Sequence, residues 1–422
     1  MFSQLANMPI LYRFMAGGVA AFAAVGIVYR MLGPIAAGLL MAALLVAAVV
    51  IFLYNRGLKG VRKRKASAFD KGLQADADQP ARGKAESRQA LAELSQRWKQ
   101  ATSELKQAGM NLYDLPWYLL IGEPQSGKST TLRQSGLDFP VGTEALSGAG
   151  GTRNCDWWFT NEAVILDTAG RFTFQEKNAP DASEWSSFLK LLRKHRAACP
   201  INGVILTIPC TSLLNDSLEQ REEKGRNIRE KLTELQRELG VSFPVFILIT
   251  KSDQILGFTE FFSRLSPTEQ RQLMGWSMQG PFVQSYDAEH FHQSFADLCG
   301  RIHKWRNRLM VEDMSLTEVD KLYVFPEELQ SLEEPLHDYL KIIFVKSQYL
   351  NPLFFRGYYF TSGLQQGRPV ARACARMLRS AGGGEEVIEH LQKIFERSRA
   401  FFIRDFYLEK LFPERSLVVH SG

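Results

Sequence analysis

Cysteine is scarce in this sequence: five among 422 residues, at Cys155, Cys199, Cys210, Cys299 and Cys374, with no CxxC pair. An odd, scattered set excludes a disulfide scaffold and a cysteine zinc site, and reads as the reduced thiols of a cytosolic body. Histidine is nearly as sparse. His290 and His292 are the one close pair among seven, and neither has a cysteine or third histidine at ligand spacing, so no histidine metal centre is expected. An excess of one charge is also missing. Lys and Arg number 51 against 45 Asp and Glu, a net +6, too mild to argue for nucleic acid. No internal repeat is visible. A 45% hydrophobic and 23% charged composition excludes a disordered or collagen-like chain. The mean hydropathy of −0.16 excludes a polytopic membrane protein.

That average hides an apolar start. Residues 31–54, MLGPIAAGLLMAALLVAAVVIFLY, carry no charge, and as a helix reach roughly 36 Å, enough for a hydrocarbon core of about 30 Å. A second run, Ile10 to Tyr29, is broken only by Arg13, near the end where a long side chain reaches the interface. Arg30, Gly33 and Pro34 mark the turn between them. A signal peptide would carry a basic leader and a shorter apolar core. The expectation is a two-helix transmembrane hairpin. Arg56, Lys59, Arg62, Lys63, Arg64 and Lys65 crowd the exit with no acid among them. The positive-inside rule puts that end, and with it the N-terminus, in the cytoplasm. The run abuts the membrane, so anionic lipid is a better partner for it than nucleic acid.

The rest alternates short apolar runs with helical spacing. WYLLI (117–121), AVILD (163–167), GVILTI (203–208), PVFILIT (244–250) and GYYFT (357–361) read as buried strands of a mostly parallel α/β sheet. Residues 66–84 have linker composition, and Leu91, Leu94, Trp98 and Leu105 suggest a helix after them. A helical pattern rich in Phe, Trp and Leu separates the last two strands. After Gly382–Gly384, residues 385–412 read as an amphipathic helix with Val387, Leu391, Ile394, Phe395, Phe402 and Phe406 on its apolar side.

Four motifs fall at strand ends. Gly122-Glu-Pro-Gln-Ser-Gly127-Lys128-Ser129-Thr130 fits G-x-x-x-x-G-K-[ST] between a strand and a helix, the context that a P-loop needs. Gly122 and Gly127 let backbone N–H groups face phosphate oxygens. Lys128 is a cation for the β and γ phosphates, and Ser129 a hydroxyl for Mg²⁺. In AVILDTAG, Asp167 ends a strand where it can support Mg²⁺, and Gly170 can offer an N–H to a γ-phosphate. Thr250-Lys251-Ser252-Asp253 matches the [NT]-K-x-D run of guanine-binding proteins, with Asp253 under the base and the Lys251 stem on the ring; a solvated turn is the plainer alternative. Thr361-Ser362-Gly363 is a weaker candidate to close over the base. GTRNCDWWF (151–159) lies where phosphate-sensing switch loops occur. There Thr152 can complete the Mg²⁺ shell and Arg153 neutralise phosphate charge, while Trp157 and Trp158 read as core or interface aromatics. Arg171 follows the DTAG glycine where small GTPases place a water-orienting Gln. It can stabilise phosphate charge but cannot orient water as an amide does, so slow hydrolysis of ATP or GTP is expected, with Lys128, Asp167 and Arg171 as its catalytic groups; a structural scaffold without turnover and a membrane-tethered GTPase of protein targeting are the alternative readings.

The organisation expected is therefore a hairpin with its basic flank at 1–65, a linker and helix at 66–110, and a P-loop NTPase-like core at 111–254. A helical insertion at 255–350, the last strand and loop of the core at 351–381, and a C-terminal amphipathic helix at 382–422 follow.

GEPQSGKST, GTRNCDWWFT, LDTAGRF, TKSD and RGYYFTSG, behind two apolar spans, resemble the TssM/IcmF inner-membrane component of type VI secretion systems and its type IVB counterpart. The likeness runs from the anchor to about residue 410. It implies a cytoplasmic NTPase-like domain within an oligomeric inner-membrane complex that anchors a contractile tail. It also implies a DotU/TssL-like subunit, baseplate proteins and a TssJ-like lipoprotein as partners. Members of this family are commonly described as binding or hydrolysing ATP, whereas TKSD by itself favours GTP. Full members continue through a further span into a large periplasmic region. No third apolar span precedes Gly422, so a fragment or truncated member is expected.

Overall fold

The computed structural model describes residues 115–140, 155–168, 199–279, 286–311, 316–345, 352–363 and 400–420, with isolated positions at 33–35, 41–42, 103, 185, 189–190, 192–193 and 196. The chain divides into two units, Met1–Lys71 and Gly72–Gly422, and every element below belongs to the second. No helix among the described residues is long and apolar enough to cross a membrane. The expected spans at 10–29 and 31–54, their basic flank and the helix at 85–108 lie almost wholly outside those residues.

The strands are β1 (Trp117–Gly122), β2 (Cys155–Phe159), β3 (Val164–Thr168), β4 (Gly203–Pro209), β5 (Val241–Ser242), β6 (Pro244–Thr250), β7 (Gly275–Ser277), β8 (Phe354–Phe360) and β9 (Val419–His420). Seven form one sheet in the order β2-β3-β1-β4-β6-β8-β7, and β5 pairs with β9 apart from it. The five runs expected as strands are its central members, all mutually parallel. Every residue of these five strands is buried. Both faces are covered, which is why they read as unbroken apolar runs rather than as alternation.

The two edge strands run antiparallel and were not expected. Residues 155–159, read as the end of a switch loop, are instead β2, paired along its length with β3. The supposedly helical insertion supplies β7, a three-residue strand whose one large side chain, Trp276, stacks on Phe355 and Tyr358 at 6.1 and 6.3 Å. It is too short to show a period.

The helices are α1 (Lys128–Arg133), α2 (Cys210–Asn215), α3 (Leu218–Leu239), α4 (Phe258–Phe262), α5 (Ala288–Leu309), α6 (Leu316–Gln330) and α7 (Glu333–Ile343). α3 opens on a capping box, with the Ser217 hydroxyl accepting from the Gln220 N–H and the Gln220 side chain accepting from the Ser217 N–H, and stops at Gly240, φ 68°. One face of the sheet, with Tyr118, Leu120, Ile165, Phe246, Leu248 and Tyr359, is covered by Leu132 of α1 and by Phe406, Tyr407, Leu411 and Phe412. The Tyr118 hydroxyl ties this cover down by donating to Leu411 O at 2.8 Å.

That cover corrects the expected C-terminal helix. Residues 385–399 lie outside the described residues, but 400–403 are not helical, and Phe406–Leu411 is a π-helical turn. Phe401 exchanges two backbone hydrogen bonds with Ser362, at 2.8 and 3.2 Å, and the Phe402 N–H donates to Gln270 O at 2.7 Å. Phe401 and Phe402 pack on Phe258 and Phe262 of α4, at 5.7 and 4.8 Å. Recurring aromatics mark burial, and here tertiary pairing overrides their helical spacing.

Candidate functional site

All four sequence motifs end at the C-terminal edge of the parallel strands, where open α/β sheets place their ligands. β1 lies between β3 and β4, so its loop emerges where the chain's route through the sheet turns from one side to the other. That loop, residues 122–127, needs glycine at both ends. A Cβ on Gly122 would stand 2.0 Å from Thr207 Oγ1 and 2.6 Å from Thr207 O. Gly127 caps α1 in the left-handed region at φ 84°, which L side chains avoid.

The loop is held by paired hydroxyls. Ser126 Oγ and Thr207 Oγ1 are 2.9 Å apart, Thr207 Oγ1 donates to Ile121 O at 3.1 Å, and the Thr250 hydroxyl donates to the Ser126 carbonyl. The Lys128 amine curls back over the loop, donating to Glu123 O at 2.7 Å, Gly122 O at 3.1 Å and Ser126 Oγ at 3.3 Å. Burial lowers its pKa, while the nearby Asp167 and Glu123 act to raise it. The next residue, Ser129, donates its hydroxyl to Asp167 Oδ2 at 2.5 Å, joining α1 to the end of β3. Asp167 is 1% exposed. Burial pushes its carboxyl up to about 6, against the Ser129 hydrogen bond and Lys128, which lower it. Its Oδ1 is buried with no hydrogen-bond partner among the described residues. A hydroxyl and a carboxylate with a free oxygen are the hard oxygen donors that Mg²⁺ takes, so the residues fit that ion.

The second half of the edge is knitted to the first. Lys251 adopts φ 56°, and its stem lies beside Gly127, 3.8 Å from where a Cβ there would stand. Asp253 accepts from Ser362 Oγ at 2.7 Å on Oδ1 and from Gln254 Nε2 at 2.9 Å on Oδ2. Thr361 accepts the Ser252 N–H at 3.1 Å and gives its own to Ile249 at 2.8 Å. Gly363 sits against α1, 3.3 Å from Thr131 Cα and 3.4 Å from the Thr130 carbonyl for an added Cβ. The structure thus brings together Gly122, Gly127, Lys128, Ser129, Thr130, Asp167, Lys251, Asp253 and the 361–363 loop. Thr152, Arg153, Gly170 and Arg171 lie outside the described residues. Trp157 and Trp158 are buried, as expected of core aromatics.

Sequence reasoning missed the groups that brace the loop. Glu123 occupies an unspecified position of its motif, yet its carboxylate accepts from Lys224 Nζ at 2.9 Å and Ser212 Oγ at 3.2 Å. Lys224 belongs to a long charged helix, and nothing in the pattern sets it apart from its solvated neighbours.

A loop of this form between a central parallel strand and a helix, with an acid at the end of the adjoining strand, defines a P-loop-type α/β domain. A family model described as the IcmF-related N-terminal domain matches residues 178–421, and the chain belongs to that TssM/IcmF family. It is 39% identical over 343 residues to the type VI secretion system component TssM1 of Pseudomonas aeruginosa (strain PAO1), a match covering 78% of this chain and 31% of that one. The chain thus spans about a third of that relative's length. Among solved structures, a probable GTP-binding protein engB is 13% identical, covering 53% of this chain and 98% of its own, with a TM-score of 0.23. A GTP-binding protein from the archaeon Sulfolobus solfataricus, in complex with GDP, is 17% identical over 46% of this chain and 51% of its own, with a TM-score of 0.19. Likenesses this slight decide nothing, and the fold rests on the strand order and register.

Proposed function

We propose that this chain is an inner-membrane subunit of a type VI secretion complex whose cytoplasmic α/β body binds Mg²⁺ with ATP or GTP. The observation that carries the nucleotide reading is the meeting of Lys128, Ser129 and Asp167 at one strand edge, with Asp253 and Ser362 closing the same edge. In this reading the loop's N–H groups and Lys128 hold the phosphates, and Ser129 and Asp167 hold the ion, with Thr152 completing its shell. Mg²⁺ supplies charge neutralisation between phosphate oxygens when bound. Gly170 meets the γ-phosphate, and Lys251 and Asp253 receive the base. Arg171, in place of an amide, supports slow turnover and a role in assembly rather than rapid hydrolysis.

The membrane reading rests on the charge-free run at 31–54 and the basic run behind it. The partners proposed with it are a DotU/TssL-like subunit, baseplate proteins and a TssJ-like lipoprotein. One titration tests the nucleotide reading: the full chain against fluorescent ATP and GTP analogues, with and without Mg²⁺. Saturable, Mg²⁺-dependent binding is expected, and its absence for both nucleotides rejects the reading. Fusions of a cytoplasmic and a periplasmic reporter after residue 65 test the anchor, and activity of the periplasmic one rejects the hairpin.

A further inference from the structure

We infer that Lys224 is the positioning residue that keeps the phosphate loop receptive to an anion and couples it to helix α7; this rests on the nucleotide reading above. Glu123 faces two ways. Its carbonyl accepts from the Lys128 amine at 2.7 Å, and its carboxylate accepts from Lys224 Nζ at 2.9 Å. A carboxylate on the first residue after Gly122 opposes an incoming phosphate unless a cation cancels it. Lys224 is that cation, and all three of its N–H donors are used: on Glu123, on Asp216 Oδ2 at 2.7 Å and on Ser212 Oγ at 3.2 Å. The side chains of Glu123 and Lys224 are only 13% and 26% exposed, so solvent screens the pair incompletely.

The same groups reach the helical insertion. Asp216 Oδ2 accepts from the Tyr339 hydroxyl at 3.3 Å. Arg221 donates to the Asp216 carbonyl at 2.5 Å and pairs with Asp338 at 3.0 Å. Asp338 and Tyr339 are neighbours on α7 and form the far end of the chain of contacts. α3 and α7 pack closely, since a Cβ on Gly225 would stand 3.2 Å from Ile342 Cγ2. Three acids (Glu123, Asp216, Asp338) are matched by three cations (Lys224, Arg221, Lys341). Loss of Lys224 unbalances the set at the phosphate loop, and a displacement of α7 pulls on the same lysine.

The test is a double-mutant cycle on the full chain, read as affinity for fluescence-labelled ATP and GTP with Mg²⁺. Lys224→Met should weaken binding roughly tenfold relative to wild type, and the same substitution in the Glu123→Gln background should weaken it by less than about threefold relative to Glu123→Gln alone. Lys224→Arg should bind as wild type does. Hydrogen exchange across 333–343 should slow on nucleotide binding in wild type and not in the double variant. Unchanged affinity in Lys224→Met, or an equal loss in the Glu123→Gln background, overturns the inference, as does exchange that responds equally in both proteins. Should Lys224→Met fail to fold, Lys224→Gln decides: a loss of about tenfold in affinity supports the inference, and wild-type affinity overturns it. A wild type that binds neither nucleotide sinks the nucleotide reading itself, whereas a binding wild type with an indifferent Lys224→Met sinks only the coupling.

Discussion

The parallel sheet and the helical insertion between β6 and β8 are held together by different means. The sheet buries its strands on both faces, and hydroxyls at its loop-bearing edge are tied into the loop, as Thr207 and Thr250 are to Ser126. The insertion leans on rings instead. Phe258, Phe261, Phe262 and Phe325 meet at centroid distances of 4.8 to 6.0 Å. Ion pairs such as Lys321–Glu260 and Arg306–Glu327 lie on its partly exposed surface, where each is worth about 1 kcal/mol or less. The sheet edge is therefore set by paired polar groups and close backbone approach, and the insertion by packed rings that are themselves fully buried. The candidate site spans both, with Lys128, Ser129 and Asp167 at the sheet edge and Asp253 in the turn that follows β6.

Backbone geometry at the rigid edge should give the largest effect. Gly122→Ala forces a methyl within 2.0 Å of Thr207 Oγ1 and should cost about 3 kcal/mol of stability. Gly127→Ala meets nothing nearer than 3.8 Å and should cost about 1 kcal/mol, through its left-handed φ alone. Denaturant titrations of the two variants measure the gap, and equal losses would break the argument from close approach.

Lys128→Ala should come next. It removes a charge-assisted contact worth about 1.5–3 kcal/mol, roughly one to two decades in Kd. Calorimetry with Mg²⁺–nucleotide gives the value, and unchanged affinity would show that this loop is not the site.

The two regions also differ in how far the sequence revealed them. The central strands were legible because burial on both faces leaves an apolar run bounded by turn residues, and PVFILIT matches β6 residue for residue. The end of β1 was legible because a G-x-x-x-x-G-K-[ST] run between a strand and a helix fixes where the strand stops and the helix starts. β2 and β7 were not, since an edge strand of five or three residues has too little pattern. The 400–403 segment was misread because Phe402 and Phe406 sit at helical spacing, while Phe402 answers to Phe262 of α4 and Phe406 to Phe246 of β6. The Glu123–Lys224 brace was invisible because its partners are 101 residues apart and each looks like ordinary surface charge.

At the base corner, Asp253→Asn should have an intermediate effect. Guanine offers an N1–H and a 2-amino group to a carboxylate, and adenine offers neither, so a base held on Asp253 should favour GTP. Ser362 already fixes one oxygen of that carboxylate. The partly exposed setting limits the preference to roughly tenfold. Competition between ATP and GTP on wild type and variant reads it. Loss of the guanine preference in the variant supports base reading. Equal ATP binding by both proteins would make Asp253 a strand-end cap and leave the base corner to the insertion.

The smallest effect belongs to the insertion itself. Burial lowers the pKa of His337, and the neighbouring His292 and Lys341 act the same way, against Glu334 and Asp338. Its Nδ1 lies 2.8 Å from the Tyr286 hydroxyl, its ring is 4.7 Å from that of His292, and His292 is held by Glu333 at 2.7 Å. The folded imidazole therefore takes up a proton at lower pH than the unfolded one, whose ordinary value is 6.5. Stability from the neutral ring is complete above that value and is lost as pH falls from it through the lower folded value. Solvent screening keeps the loss under about 1 kcal/mol. Asp167 works in the opposite sense, because a carboxyl raised to about 6 gains its proton first in the fold and stabilises it on acidification. The measurement must therefore be a difference between wild type and His337→Gln, which share Asp167. Between about pH 7.5 and pH 5.5 the wild-type midpoint should fall further than the variant's. A constant gap between the two curves would show that the insertion carries no titrating strain at His337.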